Sequence, residues 1–330
     1  SGRFAVLDQL RFVMLHWIIT NHTGSEGRVD VLERSPTAEP FKRAVHNDPL
    51  LGALLGNSAL GVEGYLFMSG TLAAVSYQII INDSNIQSHY TSYMWNRVLR
   101  LWPSVAAFVF LSTGPIMRTL LPRFHDTMVV ACGWRGIASH LLFVGNLQEQ
   151  PTCLGYLWYM GLDMQLHLLA PFLLHWLHRR PRAALSAIAA LITASAAARA
   201  VYCISYDICN KSDVDIPFIH VAGVDAAATA ALYRGLWPMY GRPPTKAGPF
   251  LVGVAFGWAA SGTAGAFILT TRQATLLFRA GLLLAVATIY AILPEYWWPE
   301  MGSVLYNVVY TATFRTVFAI AVAMIAASSV

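Results

Sequence analysis

Long apolar runs recur along this chain of 330 residues, and each is close to the length that a helix needs to cross a lipid bilayer. The runs are continuously apolar and do not alternate between apolar and polar positions, which favours helices over membrane strands. We predict eight segments, at 5–23, 58–81, 98–121, 157–178, 183–206, 247–262, 274–293 and 304–328. The predicted fold is therefore all-α, a polytopic integral membrane helical bundle of about eight transmembrane helices in one domain spanning residues 1–330.

The overall composition supports this class and excludes others. Hydrophobic residues make up 56% of the chain and charged residues only 12%, far from the balance of a soluble domain. The apolar run at 137–147 is too short to span a bilayer, which favours a re-entrant or interfacial piece. Nucleic-acid motifs and the C-x-x-C or H-E-x-x-H spacings of metal sites are absent from the sequence, so neither kind of ligand is expected.

The orientation follows from positive charge in short loops. Three arginines lie in the tight turn between the fourth and fifth segments, Arg179, Arg180 and Arg182, and this turn is predicted to be cytoplasmic. The loops near 24–57, 122–156 and 207–246 are then exoplasmic. All the cysteines lie on that side, namely Cys132, Cys153, Cys203 and Cys209. Disulfides are expected, with three connectivities open, in a membrane of the secretory pathway, either the endoplasmic reticulum or the plasma membrane.

The exoplasmic side also carries an acceptor sequence for N-glycosylation, at Asn210. A second such sequence, at Asn82, is predicted to be cytoplasmic and unmodified, and a third, at Asn21, is predicted to lie too close to the membrane to be used. The chain is therefore expected to be a disulfide-bonded glycoprotein.

Ionisable residues inside the apolar segments mark candidate functional positions, because charges are costly in lipid. The first segment holds Arg11 and His22, which lie roughly 16 Å apart along a helix at 1.5 Å per residue. Asp8, three residues before Arg11, suits an ion pair with it. Glu63 and Asp163 are carboxylates within the second and fourth segments.

Five short motifs occur in order between residues 8 and about 258. They are DQLR at 8–11 followed by His22, GVEGYLFMSG at 61–70, RVLR at 97–100, WYMGLDMQ at 158–165 and YGRPPTKAGPFLVG at 240–253. Together they resemble the membrane acyltransferase-3 superfamily, and the last two are similar to its nose-resistant-to-fluoxetine branch. In that family further helices follow, so the chain is expected to be truncated after Val330.

The resemblance implies a membrane-bound O-acyltransferase that moves an acyl group from acyl-CoA to a hydroxyl of a membrane lipid or other acceptor. His22 would act as general base, since an imidazole titrates near neutral pH. Arg11, Arg97 and Arg100 would bind the coenzyme A phosphates, with acyl-CoA as co-substrate and no tightly bound cofactor. Asp163 or Glu63 would orient His22. The sequence does not choose between these two carboxylates.

Departures from the family pattern leave two other functions open. Glu63 stands where the family has Asp, and His167 stands where it has Tyr. A catalytically silent structural subunit of a membrane complex would carry such changes. A lipid or small-molecule transporter is the second alternative, because the Gly- and Pro-containing stretches around 58–70 and 241–257 resemble broken transporter helices.

Overall fold

The computed structural model describes residues 5–20, 48–80, 86–122, 132–148, 153–209, 237–261, 269–297 and 303–329. Its α-helices are α1 (Ala5–Thr20), α2 (Pro49–Gly56), α3 (Ala59–Ile80), α4 (Ile86–Thr113), α5 (Pro115–Leu120), α6 (Gly133–Leu141), α7 (Trp158–Arg179), α8 (Pro181–Ser205), α9 (Pro243–Ala260), α10 (Thr271–Tyr290), α11 (Leu293–Trp297) and α12 (Val304–Ala327). Short 3₁₀ turns occupy Gly145–Leu147 and Gly155–Leu157. Within these ranges there is no strand, so the predicted all-α class is confirmed.

Four stretches in the described ranges are long and apolar enough to cross a membrane. They are Pro49–Tyr77, Pro181–Ser205, Thr271–Tyr290 and Val304–Ala327. The predicted count of about eight spans is not confirmed. Helix α1 has only 16 described residues, while α4, α7 and α9 carry polar side chains that lower their mean hydropathy.

The third segment differs most from its predicted bounds of 98–121. One helix runs from Ile86 to Thr113, and a separate short helix begins at Pro115. The start was missed because residues 86–97 are largely polar, and polar residues inside a bundle escape a search for apolar runs. Consequently Arg97 lies about 16 Å along α4 and not at its start.

Helices α3 and α9 form the centre of the bundle and pack closely through glycines. A Cβ on Gly253 would lie 2.0 Å from the carbonyl oxygen of Phe67, and one on Gly70 would lie 2.1 Å from that of Phe250. Both helices are continuous through these positions. These two glycines therefore serve close helix packing and do not mark breaks in α3 or α9. Both stretches nevertheless begin at an interruption of the helix, at residues 57–58 before α3 and at residue 242 before α9.

The remaining helices surround this pair. Helix α7 packs against α3, α8 and α9, and α12 packs against α8, α9 and α10. Helix α1 lies along α3, and α4 contacts α7. Large apolar side chains face outward on several helices, for example Phe110, Ile204, Leu283 and Leu305, which are 57–73% exposed. Such a surface is typical of helices that face lipid.

Two disulfides join the cysteines, Cys132 to Cys153 and Cys203 to Cys209. The structure thereby selects one of the three connectivities that the sequence left open. The first bond fixes α6 against the start of α7, where the ring Nε2 of His140 donates to the carbonyl of Cys153 over 2.6 Å. Burial lowers the pKa of His140 on α6 by more than the hydrogen bond to Cys153 raises it.

Candidate active site

Five polar side chains meet between α3, α4 and α7, and we call them the Asp163 cluster: Ser69, Tyr93, Arg97, Asp163 and His167. Tyr93 and Arg97 are four residues apart on α4, and so are Asp163 and His167 on α7, so each pair shares one helix face. Ser69 completes the cluster from α3. The spacing of four residues therefore puts Tyr93 next to Arg97 on α4 and Asp163 next to His167 on α7. The packing of α4 against α7 then brings the two pairs into contact.

Asp163 is the centre of the cluster and is 3% exposed. Its Oδ1 accepts a hydrogen bond of 2.5 Å from the Ser69 hydroxyl, and its Oδ2 accepts one from Nη2 of Arg97. The His167 Nε2 lies 2.9 Å from the same Ser69 oxygen, and the Tyr93 hydroxyl contacts Nδ1. Both carboxylate oxygens are therefore hydrogen-bonded within a buried side chain.

This arrangement differs from a serine hydrolase triad, although it contains serine, histidine and aspartate. In a triad the carboxylate contacts Nδ1 of the histidine and the serine contacts Nε2. Here Tyr93 occupies Nδ1, and the nearest approach of Asp163 to the ring is 3.6 Å, at Nε2. Ser69 and Arg97 both donate hydrogen bonds to Asp163. The Ser69 hydroxyl is therefore not activated as a nucleophile in this arrangement.

Glu63 belongs to a second buried cluster, in which its Oε1 accepts from Lys246 of α9 and Arg315 of α12. Glu63 and Lys246 are fully buried, and Arg315 is 3% exposed. The Lys246 ammonium also lies 4.2 Å from the centre of the Tyr240 ring, a cation–π contact. This second cluster, which we call the Glu63 cluster, joins α12 to the two central helices, α3 and α9.

The structure brings two of the predicted site residues, Arg97 and Asp163, into contact with each other. Glu63 lies apart from them and contacts Lys246 and Arg315. Arg11 forms an exposed ion pair of 2.9 Å with Asp8, as predicted, and Arg100 is exposed on α4. His22, the predicted base, lies outside the described residues.

Sequence analysis missed the contributions of several residues to these clusters. Lys246 and Arg315 each place a cation beside or inside an apolar segment, which is the signal that singled out Asp163 and Glu63 and was not applied to them. Ser69 and His167 lie in or beside the quoted motifs, but no pattern in the sequence connects Ser69 to α7. Tyr93 was not recognised as a site residue because it lies before the predicted start of this helix, at residue 98.

Comparisons with known proteins identify the family of nearly the whole chain. A family model described as an acyltransferase domain matches residues 4–329. The chain is similar to regulator of hypoxia-inducible factor 1 of Caenorhabditis elegans, with 51% identity over 307 residues that cover 93% of this chain and 61% of the relative. Nose resistant to fluoxetine protein 6 of Caenorhabditis elegans is 27% identical over 186 residues, or 49% of this chain and 21% of that protein. No solved structure matches the chain. The chain thus spans less than two thirds of the length of these relatives.

Proposed function

Because the chain belongs to the acyltransferase-3 family, we propose that it is a membrane-bound O-acyltransferase that moves an acyl group from acyl-CoA to a hydroxyl of a lipid or other acceptor. The observation that carries this proposal is the match of the acyltransferase model over residues 4–329. The bundle adds support, because Arg97 and Asp163 come from two separate motifs and meet in one partly buried ion pair.

The proposed reaction needs a base, a donor site and a leaving-group proton. His22 removes the proton of the acceptor hydroxyl while its oxygen attacks the thioester carbonyl. As the new C–O bond forms, the C–S bond breaks, and the imidazolium of His22 returns the proton to the coenzyme A thiolate. Guanidinium groups of Arg11, Arg97 and Arg100 bind the phosphates of the donor.

The test is an acyl-transfer assay with the protein purified into lipid nanodiscs. We expect coenzyme A release from one class within a panel of short-chain and long-chain acyl-CoA donors, and faster release when hydroxyl acceptors are added. Coenzyme A is detected by a thiol reagent, with empty nanodiscs as the control. Absence of both release and donor binding across the panel would contradict the proposal.

We further propose that the protein lies in a membrane of the secretory pathway, either the endoplasmic reticulum or the plasma membrane, with its disulfides on the exoplasmic side. The two disulfides support an oxidising environment. The orientation itself rests on the arginine turn at 179–182 and the positive-inside rule.

This orientation predicts glycosylation at Asn210 and none at Asn82. Expression in a eukaryotic cell is expected to yield a band whose mobility increases after endoglycosidase treatment, and Asn210→Gln should abolish that increase. Asn82→Gln is the matched control and should leave it unchanged. A glycan on Asn82 in place of Asn210 would reverse the proposed topology.

A further inference from the structure

Arg97 is already bound to an anion inside the protein, and this limits how it can bind a donor. Its Nη2 contacts Asp163, and the two side chains are only 20% and 5% exposed. If a phosphate group of acyl-CoA binds the same Nη2 group of Arg97, it competes with Asp163 for that group. We propose that the donor replaces Asp163 on Arg97 in exchange for one proton, which Asp163 takes up. This inference rests on the proposed function, since it concerns the same donor site.

Protonation is required because Asp163 is buried. A buried carboxylate that loses its cation is an uncompensated charge in a medium of low dielectric constant, which is strongly unfavourable. Such a group avoids the penalty by binding a proton. The neutral carboxyl group can still hydrogen-bond to Ser69, so the rest of the cluster remains intact while Arg97 turns to the phosphate.

The cluster also contains a route for that proton. An ionised carboxylate only accepts hydrogen bonds, so the single proton of Ser69 points at Asp163. The Ser69 oxygen then accepts from the Nε2–H of neutral His167, and Nδ1 of that ring accepts from the Tyr93 hydroxyl. All the hydrogen bonds therefore run in one direction, from Tyr93 to Asp163.

A proton that reaches the Tyr93 oxygen can pass along this chain. The Tyr93 proton moves to Nδ1 of His167, the Nε2 proton moves to Ser69, and the Ser69 proton moves to Asp163. One bond to hydrogen breaks as the next one forms, and Asp163 alone changes charge. Chains of this kind inside membrane proteins are known routes for protons.

Other ionisable groups around Asp163 do not substitute for it. From α7, the buried phenol of Tyr159 interacts electrostatically with Asp163, and Tyr65 of α3 and Glu63 interact with Tyr159. The two phenols are uncharged at neutral pH. Glu63 is held by Lys246 and Arg315, and α9 places the uncharged ring of Phe250 against His167. Within the described residues, Asp163 is therefore the carboxylate that exchanges partners.

The test is isothermal titration of the nanodisc protein with coenzyme A, in two buffers of different ionisation enthalpy at the same pH. The difference in binding heat measures the protons taken up per ligand bound. We expect the wild type to take up close to one proton more than Asp163→Asn. The Kd of the wild type should rise by up to about tenfold per pH unit, which is the limit for one linked proton. Binding to Asp163→Asn should lack this dependence.

A matched control is Asp48→Asn, an exposed carboxylate that caps α2 and whose role an asparagine retains. It should show the wild-type proton uptake. Comparison of variants at one pH also subtracts protons exchanged by coenzyme A itself. If Asp163→Asn fails to fold, the proton uptake of the wild type is compared with the uptake expected from the ionisation of coenzyme A alone. Close to one extra proton supports the exchange, and no extra proton overturns it.

Each result separates the exchange from the proposed function. Coenzyme A binding by the wild type with no more proton uptake than Asp163→Asn would overturn the exchange and leave the acyltransferase proposal standing. Failure of the wild type to bind any coenzyme A or acyl-CoA would overturn both. His167→Phe interrupts the chain and should slow proton uptake followed by an indicator dye, without changing its extent. An unchanged rate would overturn the proposed route.

Discussion

Replacing His22 with alanine is expected to reduce acyl transfer by about 10²–10⁴-fold, the usual contribution of a general base. The alanine variant retains the arginines proposed to bind the donor but lacks the group proposed to remove the proton of the acceptor hydroxyl. The loss should therefore appear in kcat, while the Kd for coenzyme A remains close to the wild-type value. The measurement is coenzyme A release in nanodiscs, normalised to the amount of folded protein.

His16→Ala provides a matched control within the same apolar segment. His16 is exposed on α1, and its Nδ1 contacts the carbonyl of Phe12 at 2.8 Å. It lies six residues before His22 in the sequence. We expect near wild-type turnover from this variant. Equal turnover in His22→Ala and the wild type would remove His22 from the mechanism, and equal losses in both histidine variants would indicate a structural effect.

Replacing Glu63 with alanine is expected to lower the free energy of unfolding by about 3–5 kcal/mol, as is usual when one partner of a buried ion pair is removed. The change takes the carboxylate away from Lys246 and Arg315, whose charges stay buried. Because the Glu63 cluster joins α3, α9 and α12, the yield of monodisperse protein should fall sharply. The measurements are size-exclusion chromatography and thermal unfolding.

Two further variants serve as controls for Glu63→Ala, one for the loss of an exposed carboxylate and one for the unpaired charges left at Lys246 and Arg315. Asp8→Asn removes a carboxylate from an exposed ion pair and is expected to change stability by about 1 kcal/mol at most. A triple variant, Glu63→Leu with Lys246→Met and Arg315→Leu, removes all three charges and should recover part of the lost stability, as apolar replacements of buried ion pairs often do. Wild-type stability of Glu63→Ala would show that this ionic contact contributes little.

The outcome for Glu63 also bears on which carboxylate serves the reaction. Glu63 contacts two cations from helices that pack around α3, which indicates a role in holding the bundle together. Asp163 contacts Arg97, which is proposed to bind the donor, and Ser69, which belongs to the proposed proton route. We therefore expect substitutions at Asp163 to change donor binding more than stability, and substitutions at Glu63 to do the reverse.

Most helices could be predicted because the signal for them is local. A run of apolar residues long enough to span lipid leaves its backbone few alternatives to helix, since unsatisfied polar groups are costly there. Segments such as 183–206 and 304–328 match α8 and α12 within two residues. Helix α4 was an exception, because its first residues are polar. Helix α2 was another, since Pro49–Gly56 lies within the predicted loop 24–57.

Local spacing also predicted the ion pair of Asp8 with Arg11, and the side assigned to the cysteines suggested the disulfides. The partners of the buried charges could not be predicted in this way, because they are distant in the sequence. Glu63 contacts residues 183 and 252 positions away, and Asp163 contacts Ser69 from a helix 94 positions earlier. No periodicity within one segment indicates such contacts.

The amino-acid sequence by itself determined the helical class, the family and the ionisable residues that the bundle must accommodate. Each of these depends on composition, on order along the chain or on the high cost of charge in lipid. Only the tertiary structure decided which charges are partners, because partners are set by how α3, α4, α7, α9 and α12 pack side by side. That packing pairs Arg97 with Asp163, and it pairs Glu63 with Lys246 and Arg315.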